Sequence, residues 1–247
     1  MFTPFAFVKE EVAAVTPTPG IVTDQLAFYI DPANGNFNDT IGSKTGTENG
    51  TITTVSSNYW SGFSGTDYIS FSSTTDINGT DDAEFTVESW FYFQTAWGGS
   101  DIKIPWAMNS TTAGAEYRFR YLGTTYGNDI QVSAPEYIDS NLANQASNFE
   151  GGWSHNVMVW KFNGNVNSST LLYSIQLVGG SVLTGTGTGM GGPKGRRAPN
   201  NQIYVGRSTN DTINFGGGYI GPVRIYNKAL TTAEIAQNYS AEVSRFT

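Results

Sequence analysis

Gly218-Tyr219-Ile220-Gly221-Pro222-Val223-Arg224-Ile225-Tyr226-Asn227-Lys228-Ala229-Leu230-Thr231-Thr232-Ala233-Glu234-Ile235-Ala236-Gln237-Asn238-Tyr239-Ser240-Ala241 carries two structural elements and the joint between them. Tyr219 to Tyr226 reads as a strand, with Gly221-Pro222 marking a bulge or an edge because proline has no N–H to give to a ladder. Thr231 is placed to cap a helix, Glu234 stands three residues on as its capping-box partner, and Leu230 can pack on Ile235 as a hydrophobic staple. Upstream, Tyr204-Val205-Gly206-Arg207 reads as a further strand. Strand, tight link and short capped helix therefore close the domain.

Working outward, Leu26-Ala27-Phe28-Tyr29-Ile30-Asp31-Pro32 and Gly65-Thr66-Asp67-Tyr68-Ile69-Ser70-Phe71 read as early strands. Phe85-Thr86-Val87-Glu88-Ser89-Trp90-Phe91 and Trp153-Ser154-His155-Asn156-Val157-Met158-Val159 follow as longer ones. Taken in this order, these segments and the closing strand-helix resemble the laminin G-like branch of the concanavalin A-like superfamily. The resemblance runs from about Ile21 to Glu242. It implies an all-β jelly-roll sandwich of two antiparallel sheets with one short C-terminal helix. Lectins, glycan-degrading enzymes, adhesive modules and phage or viral particle proteins all use this fold, so function has to be argued from the residues.

Composition sets the outer limits. A chain of 247 residues can bury one substantial core, and 14% aromatic with only 14% charged residues suits short strands separated by turns. The formal net charge of −8 and a pI near 4.6 argue against a nucleic-acid partner, which needs a basic face to neutralise phosphates. No apolar run is long enough to span a bilayer, so no membrane association is expected. With no cysteine, disulfides and thiolate metal sites are excluded. The first residues lack the basic and long apolar regions of a secretory signal, so export in that form is not expected. Asn-x-Ser/Thr triplets at Asn38, Asn49, Asn78, Asn109, Asn167 and Asn210 then read as turn chemistry.

The organisation is read as an attachment arm over 1–20, a sandwich over 21–243 and a short tail over 244–247. Phe2, Phe5 and Phe7 lead the arm, Thr16-Pro17-Thr18-Pro19 makes an extended spacer within it, and the whole arm reaches up to about 65 Å at ~3.3 Å per residue. Exposed phenylalanines on a tether suit an apolar groove or a neighbouring subunit. Strands are expected near 26–31, 68–72, 85–94, 102–108, 115–122, 129–133, 155–162, 171–178, 202–207 and 219–226. In 155–162, Asn156, Met158 and Trp160 share one face and Val157 and Val159 the other, which describes a central strand. In 115–122, Phe119 and Tyr121 alternate with Arg118 and Arg120, which describes one buried and one solvated face.

Tests for catalysis are mostly negative. A retaining glycosidase needs an acid and a nucleophile about 5 Å apart, which this superfamily supplies from glutamates on one strand face with an aspartate between them. Glu84 and Glu88 have the spacing, but residue 86 is Thr and Glu84 sits at the strand's start. His155, the sole histidine, is read as a structural residue at a strand edge. Gly187-Thr188-Gly189-Met190-Gly191-Gly192 spells GxGxxG, but Pro193 and Pro199 rule out the helix that would present its N-terminus to a phosphate.

Binding candidates remain. The resemblance implies a Ca²⁺ site at a sandwich edge, for which Asp31, Asp67, Asp76, Asp81 and Asp82 offer oxygens, although acidic turn residues account for them as well. Trp97 and Tyr126 fall in expected loops and are the candidates for stacking on a sugar ring, whereas Trp90, Trp153 and Trp160 are expected in the core. Lys194, Arg196 and Arg197 form the one basic cluster, either docking an acidic partner or standing as a solvated loop. The reading is of a non-enzymatic structural or decorating component of a tailed-phage virion, held to capsid or tail proteins by its arm and forming a homo-oligomer. A carbohydrate-binding module contacting host glycans is the alternative, and a glycoside hydrolase a third.

Overall fold

The computed structural model describes residues 20–64, 66–72, 84–94, 102–109, 116–122, 130–133, 140–142, 149–161, 170–188, 202–208 and 215–247. The arm residues Phe2, Phe5 and Phe7, the loop candidates Trp97 and Tyr126, the basic cluster Lys194, Arg196 and Arg197, and Asp76, Asp81 and Asp82 lie outside them. In chain order the strands are β1 (Leu26–Ile30), β2 (Thr47–Asn49), β3 (Thr53–Val55), β4 (Tyr59–Ser61), β5 (Tyr68–Phe71), β6 (Phe85–Phe93), β7 (Ile102–Lys103) and β8 (Trp106–Asn109). They continue as β9 (Glu116–Leu122), β10 (Ile130–Ser133), β11 (Ser140–Leu142), β12 (Trp153–Lys161), β13 (Thr170–Leu177), β14 (Val182–Thr188), β15 (Ile203–Val205) and β16 (Gly218–Tyr226), followed by helix α1 (Thr232–Glu242).

Two antiparallel sheets result. One runs β14-β13-β12-β6-β16-β4-β3 with β1 also on β16; the other runs β11-β10-β9-β8-β15-β5-β2 with β7 on β9. The period of two in β6 explains how they face each other. Phe85, Val87, Phe91 and Phe93 enter the inter-sheet core with Trp106, Met108, Phe119, Tyr121, Ile203 and Val205. Thr86, Glu88, Trp90 and Tyr92 therefore stand on the outer face of the first sheet. β12 lies between β6 and β13 and is buried along nearly its whole length, as the two-sided apolar pattern required.

Helix α1 covers part of that outer face. Thr231 accepts from the Glu234 N–H and the Glu234 side chain accepts from the Thr231 N–H, so the capping box forms as read. Leu230 and Ile235 pack with Val22, Leu26, Tyr29 and Tyr226, which docks the helix on β1 and β16. The Gly221-Pro222 pair lies at the bulge of β16, where the register against β6 shifts between Ile220 and Val223.

Several segments depart from the expected elements. β2, β3, β4 and β11 are short strands that carry no long alternating signal. β14 lies where no strand was expected, and the first residues of the GxGxxG spelling belong to this edge strand. Glycine is required there: Gly185 pairs with Tyr173, and a Cβ on it would come within 1.7 Å of the tyrosine hydroxyl. Residues 244–247 are packed rather than trailing, because Phe246 is only 6% exposed. Among the described residues no helix is long and apolar enough to cross a membrane.

Candidate functional site

The outer face of the first sheet has two ends of opposite character. Under α1 it holds charge. Arg224 on β16 pairs across the ladder with Glu88 on β6, its Nη1 2.8 Å from Glu88 Oε1, and its other nitrogen donates to Glu242 of α1. Asn238 Nδ2 donates to Glu88 Oε2 at 2.6 Å and to the Tyr226 hydroxyl at 3.0 Å. Glu88, Arg224, Asn238 and Glu242 all have no exposed surface. Arg245 continues the chain of charges, gripping Asp31 Oδ1 at 2.7 Å and Oδ2 at 2.9 Å in the two-pronged geometry of a guanidinium on a carboxylate.

His155 does not sit at a strand edge as read. It is 1% exposed on central strand β12, with Nε2 2.9 Å from Glu88 Oε1 but not aligned as a hydrogen bond. Burial would push the Glu88 carboxyl up; His155, Arg224 and Asn238 together outweigh it and hold the group below the usual carboxylate range. Burial likewise opposes ionisation of Asp31, and Arg245, the Tyr29 hydroxyl and the Ala33 N–H reverse it. Both oxygens of Glu88 are thus saturated by protein groups, and Glu84 lies ahead of the strand. The arrangement organises the helix against the sheet.

Asp31 is corrected on the same ground. Arg245, the Tyr29 hydroxyl at 2.5 Å and the Ala33 N–H at 2.9 Å occupy its oxygens, so it is an ion-pair partner with no free oxygen for a cation. Asp67 closes a turn, accepting from the Ser64 hydroxyl at 2.8 Å and the Thr51 N–H at 3.3 Å. Among the described residues no three His, Asp or Glu side chains converge as a metal site would need.

The other end of the face is aromatic and open to solvent. Trp153 on β12 pairs with Tyr92 on β6, and Tyr92 with Tyr219 on β16, and the three rings lean together into a compact cluster with 5.3 to 6.3 Å between centres. Tyr59 of β4 adds a fourth ring 4.5 Å from Tyr219 and 5.3 Å from Trp153. All four are half-buried. Trp90 and Trp160 are core residues as expected; Trp153 is not. Its indole rests on Phe246, with ring centres 4.6 Å apart, and Phe246 in turn stacks on Trp90 at 4.4 Å. Beside Tyr219, exposed Gln94 donates to the tyrosine hydroxyl at the mouth of a recess lined by Ser61, Gly62, Phe63, Ser64 and Gly218.

The sugar candidates named from sequence, Trp97 and Tyr126, lie outside the described residues, and this aromatic cluster was not among them. Its signal was parity: Tyr92 and Tyr219 stand an even number of residues along their strands, or across a recognised bulge, from Glu88 and Arg224, so they share the charged residues' face rather than the core face. The partly buried indole and phenol rings pack on one another and on Phe246, with phenol hydroxyls and the Gln94 amide at the edge of the cluster.

Fold and surface together define a lectin-type β-sandwich. Residues 63–236 match the model of the Laminin_G_3 family, described as the concanavalin A-like lectin/glucanases superfamily, and the chain belongs to that family. Trypanosoma rangeli sialidase in complex with sialic acid superposes with a TM-score of 0.65 at 14% identity, over 92% of this chain and 34% of the sialidase. The receptor binding domain of botulinum neurotoxin C/D mosaic serotype gives 0.62 at 12% identity, over 90% of this chain and 52% of the toxin domain. The binding domain of botulinum neurotoxin serotype D gives 0.58 at 12% identity, over 89% and 52%. The chain thus spans about a third of the sialidase and half of the toxin domains, and the likeness is one of fold. No curated protein sequence matches it.

Proposed function

We propose that this chain is a non-enzymatic, carbohydrate-contacting display domain, and that its setting is a tailed-phage particle to which it is held through residues 1–20. The observation that carries the carbohydrate reading is the partly exposed cluster of Trp153, Tyr92, Tyr219 and Tyr59 on the outer sheet face. The sealing of Glu88 beneath α1 supports the non-enzymatic part, since its oxygens already serve Arg224 and Asn238. Both toxin neighbours carry "binding domain" in their names, which agrees with a recognition role on this scaffold. The particle setting draws its support from the three phenylalanines of the leading peptide and from the sequence resemblance to particle proteins.

The test is a glycan array probed with the full chain and with Trp153→Ala. Binding by the first and its loss in the second is expected; a blank array with the full chain rejects the carbohydrate reading. Unchanged polysaccharide after long incubation is expected, and release of reducing ends would overturn the non-enzymatic part. Deleting residues 1–20 should leave a folded domain absent from purified particles; retained incorporation would refute the arm.

A further inference from the structure

We infer that the apolar groove between helix α1 and edge strand β14 is the seat of the chain's own leading phenylalanines. This is independent of the carbohydrate reading and extends the attachment reading, giving the arm a place on its own domain before any particle is met.

Sheet and helix make the groove together. On the outer face Val159 of β12 stands opposite Leu172 of β13, and Leu172 opposite Thr186 of β14. Helix α1 is anchored towards the other flank, where Leu230 packs with Leu26 and Tyr226, and a gap is left between it and the last strands of the sheet. Val159 and Leu172 form the floor of that gap, Leu230 and Ile235 its inner wall, and exposed Thr184 and Thr186 its outer rim. None of the described residues lining it is charged. Leu172 and Ile235 stay partly exposed, so an apolar occupant would take further apolar surface from water. The volume of about 350 Å³ is room for about two phenyl rings, on the scale of the ~150 Å³ cavity that takes up benzene.

The chain supplies an occupant of matching chemistry and reach. Phe2, Phe5 and Phe7 stand close together with Ala6 and Val8 among them, and two of their rings account for the space. The described chain starts beside the helix that walls the groove: the Gly20 carbonyl accepts from Gln237 Nε2 at 2.6 Å, and the Val22 N–H donates to Asn238 Oδ1 at 2.8 Å. At ~3.6 residues per turn, Gln237 and Ala241 share the flank of α1 turned to residue 20, Thr232 and Ile235 share the flank turned to the groove, and Asn238 and Glu242 lie beneath. Passing over a helix about 10–12 Å across takes half its girth, about 16–19 Å, or about six extended residues. Phe7 lies thirteen residues ahead of Gly20, so its ring reaches the groove with chain to spare.

Tethering decides whose phenylalanines fill it. A linker of this kind holds the arm beside its own groove at an effective concentration on the order of 1 mM, against which a second copy at micromolar concentration competes poorly.

The chain has no cysteine, so two introduced thiols report on one contact without background. The full chain carrying Ala6→Cys and Thr186→Cys is oxidised with glutathione disulfide at micromolar concentration, beside a second carrying Ala6→Cys and Ser240→Cys. Ser240 is exposed on α1 next to the anchor of residue 20, so tethering alone favours the second pair. Expected is a disulfide-closed monomer that forms roughly tenfold or more faster in the Thr186 pair. Melting before oxidation should be unchanged, and adding Phe5→Ala and Phe7→Ala should return the rate to that of the Ser240 pair. Equal rates in the two pairs, or trapping that ignores the loss of both phenylalanines, overturns the inference. Disulfide dimers that outrun closed monomers as the chain concentration rises overturn it as well and give the groove to a neighbour's arm. The attachment reading is decided separately, by particle incorporation of the chain lacking residues 1–20.

Discussion

One strand, β6, contributes Glu88 to the sealed end of the outer face and, four residues on, Tyr92 to the open end. Residue chemistry alone would rank them in reverse, because a carboxylate on a central strand of a glycan-associated fold looks like a catalyst and a tyrosine looks like filler. Coverage decides otherwise. Where α1 closes over the face, each charge meets a partner and serves packing; where the helix stops, aromatic rings are left partly exposed. The contrast teaches that in this sandwich the position of one eleven-residue helix separates sealed charge from partly exposed aromatic rings.

The contrast breaks most visibly at Arg224. Its replacement by Met takes from buried Glu88 and Glu242 the guanidinium they share, leaving Glu88 with Asn238 and Glu242 with Arg245, and a loss of about 3–5 kcal/mol is expected in urea unfolding. A variant as stable as the parent would mean that the sealed end is held by packing and not by charge. Phe246→Ala addresses both ends at once, because that ring bridges Trp90 and Trp153. A loss of about 2–3 kcal/mol is expected, somewhat below a deep-core Phe truncation, together with weaker sugar binding. Loss of one readout without the other would show that the ends are independent.

Trp153→Leu sharpens the comparison from the open side: about 1–2 kcal/mol of stability for the lost apolar area, against a roughly tenfold loss of glycan affinity. At the helix start, Thr231→Ala should cost about 1 kcal/mol and spare sugar binding. Acid completes the set. Glu88 and Asp31 have folded values held below 4.5 and 3.8, so their contribution is intact above those values and is lost as the pH falls through the lower folded ones. Urea midpoints measured from pH 6 down to pH 2 should therefore stay level and then fall below about pH 4.5, and should fall less in Glu88→Gln. A midpoint that rises on acidification would contradict the sign.

Much of the fold was legible. The bulge, the capping box, the staple and the two-sided apolar strand at 155–162 are local patterns whose physics is complete within a few residues, and each formed as read. β14 was not, because glycine disfavours a strand unless a neighbour demands the space, and Tyr173 sits on a different strand. The charge cluster was half legible. Glu88 and Arg224 each interrupt a buried strand, which signals a partner, but nothing local says that the partners are one another. Trp153 was assigned inward because tryptophans usually are, and only its pairing with Tyr92 reveals that it stands on the outer face.

The stitching of the two flanks of this sandwich has a practical consequence. Asn238 accepts from the Val22 N–H, Gln237 donates to the Gly20 carbonyl, and Arg245 holds Asp31, so residues 20–31 and 237–245 run together along one helix. A short linker could splice them, and new termini opened at the exposed Gly179-Gly180 turn between β13 and β14 would leave every ladder of the first sheet whole. Such a rewired chain would carry the aromatic face unchanged while moving any cargo fused to its ends to the opposite flank.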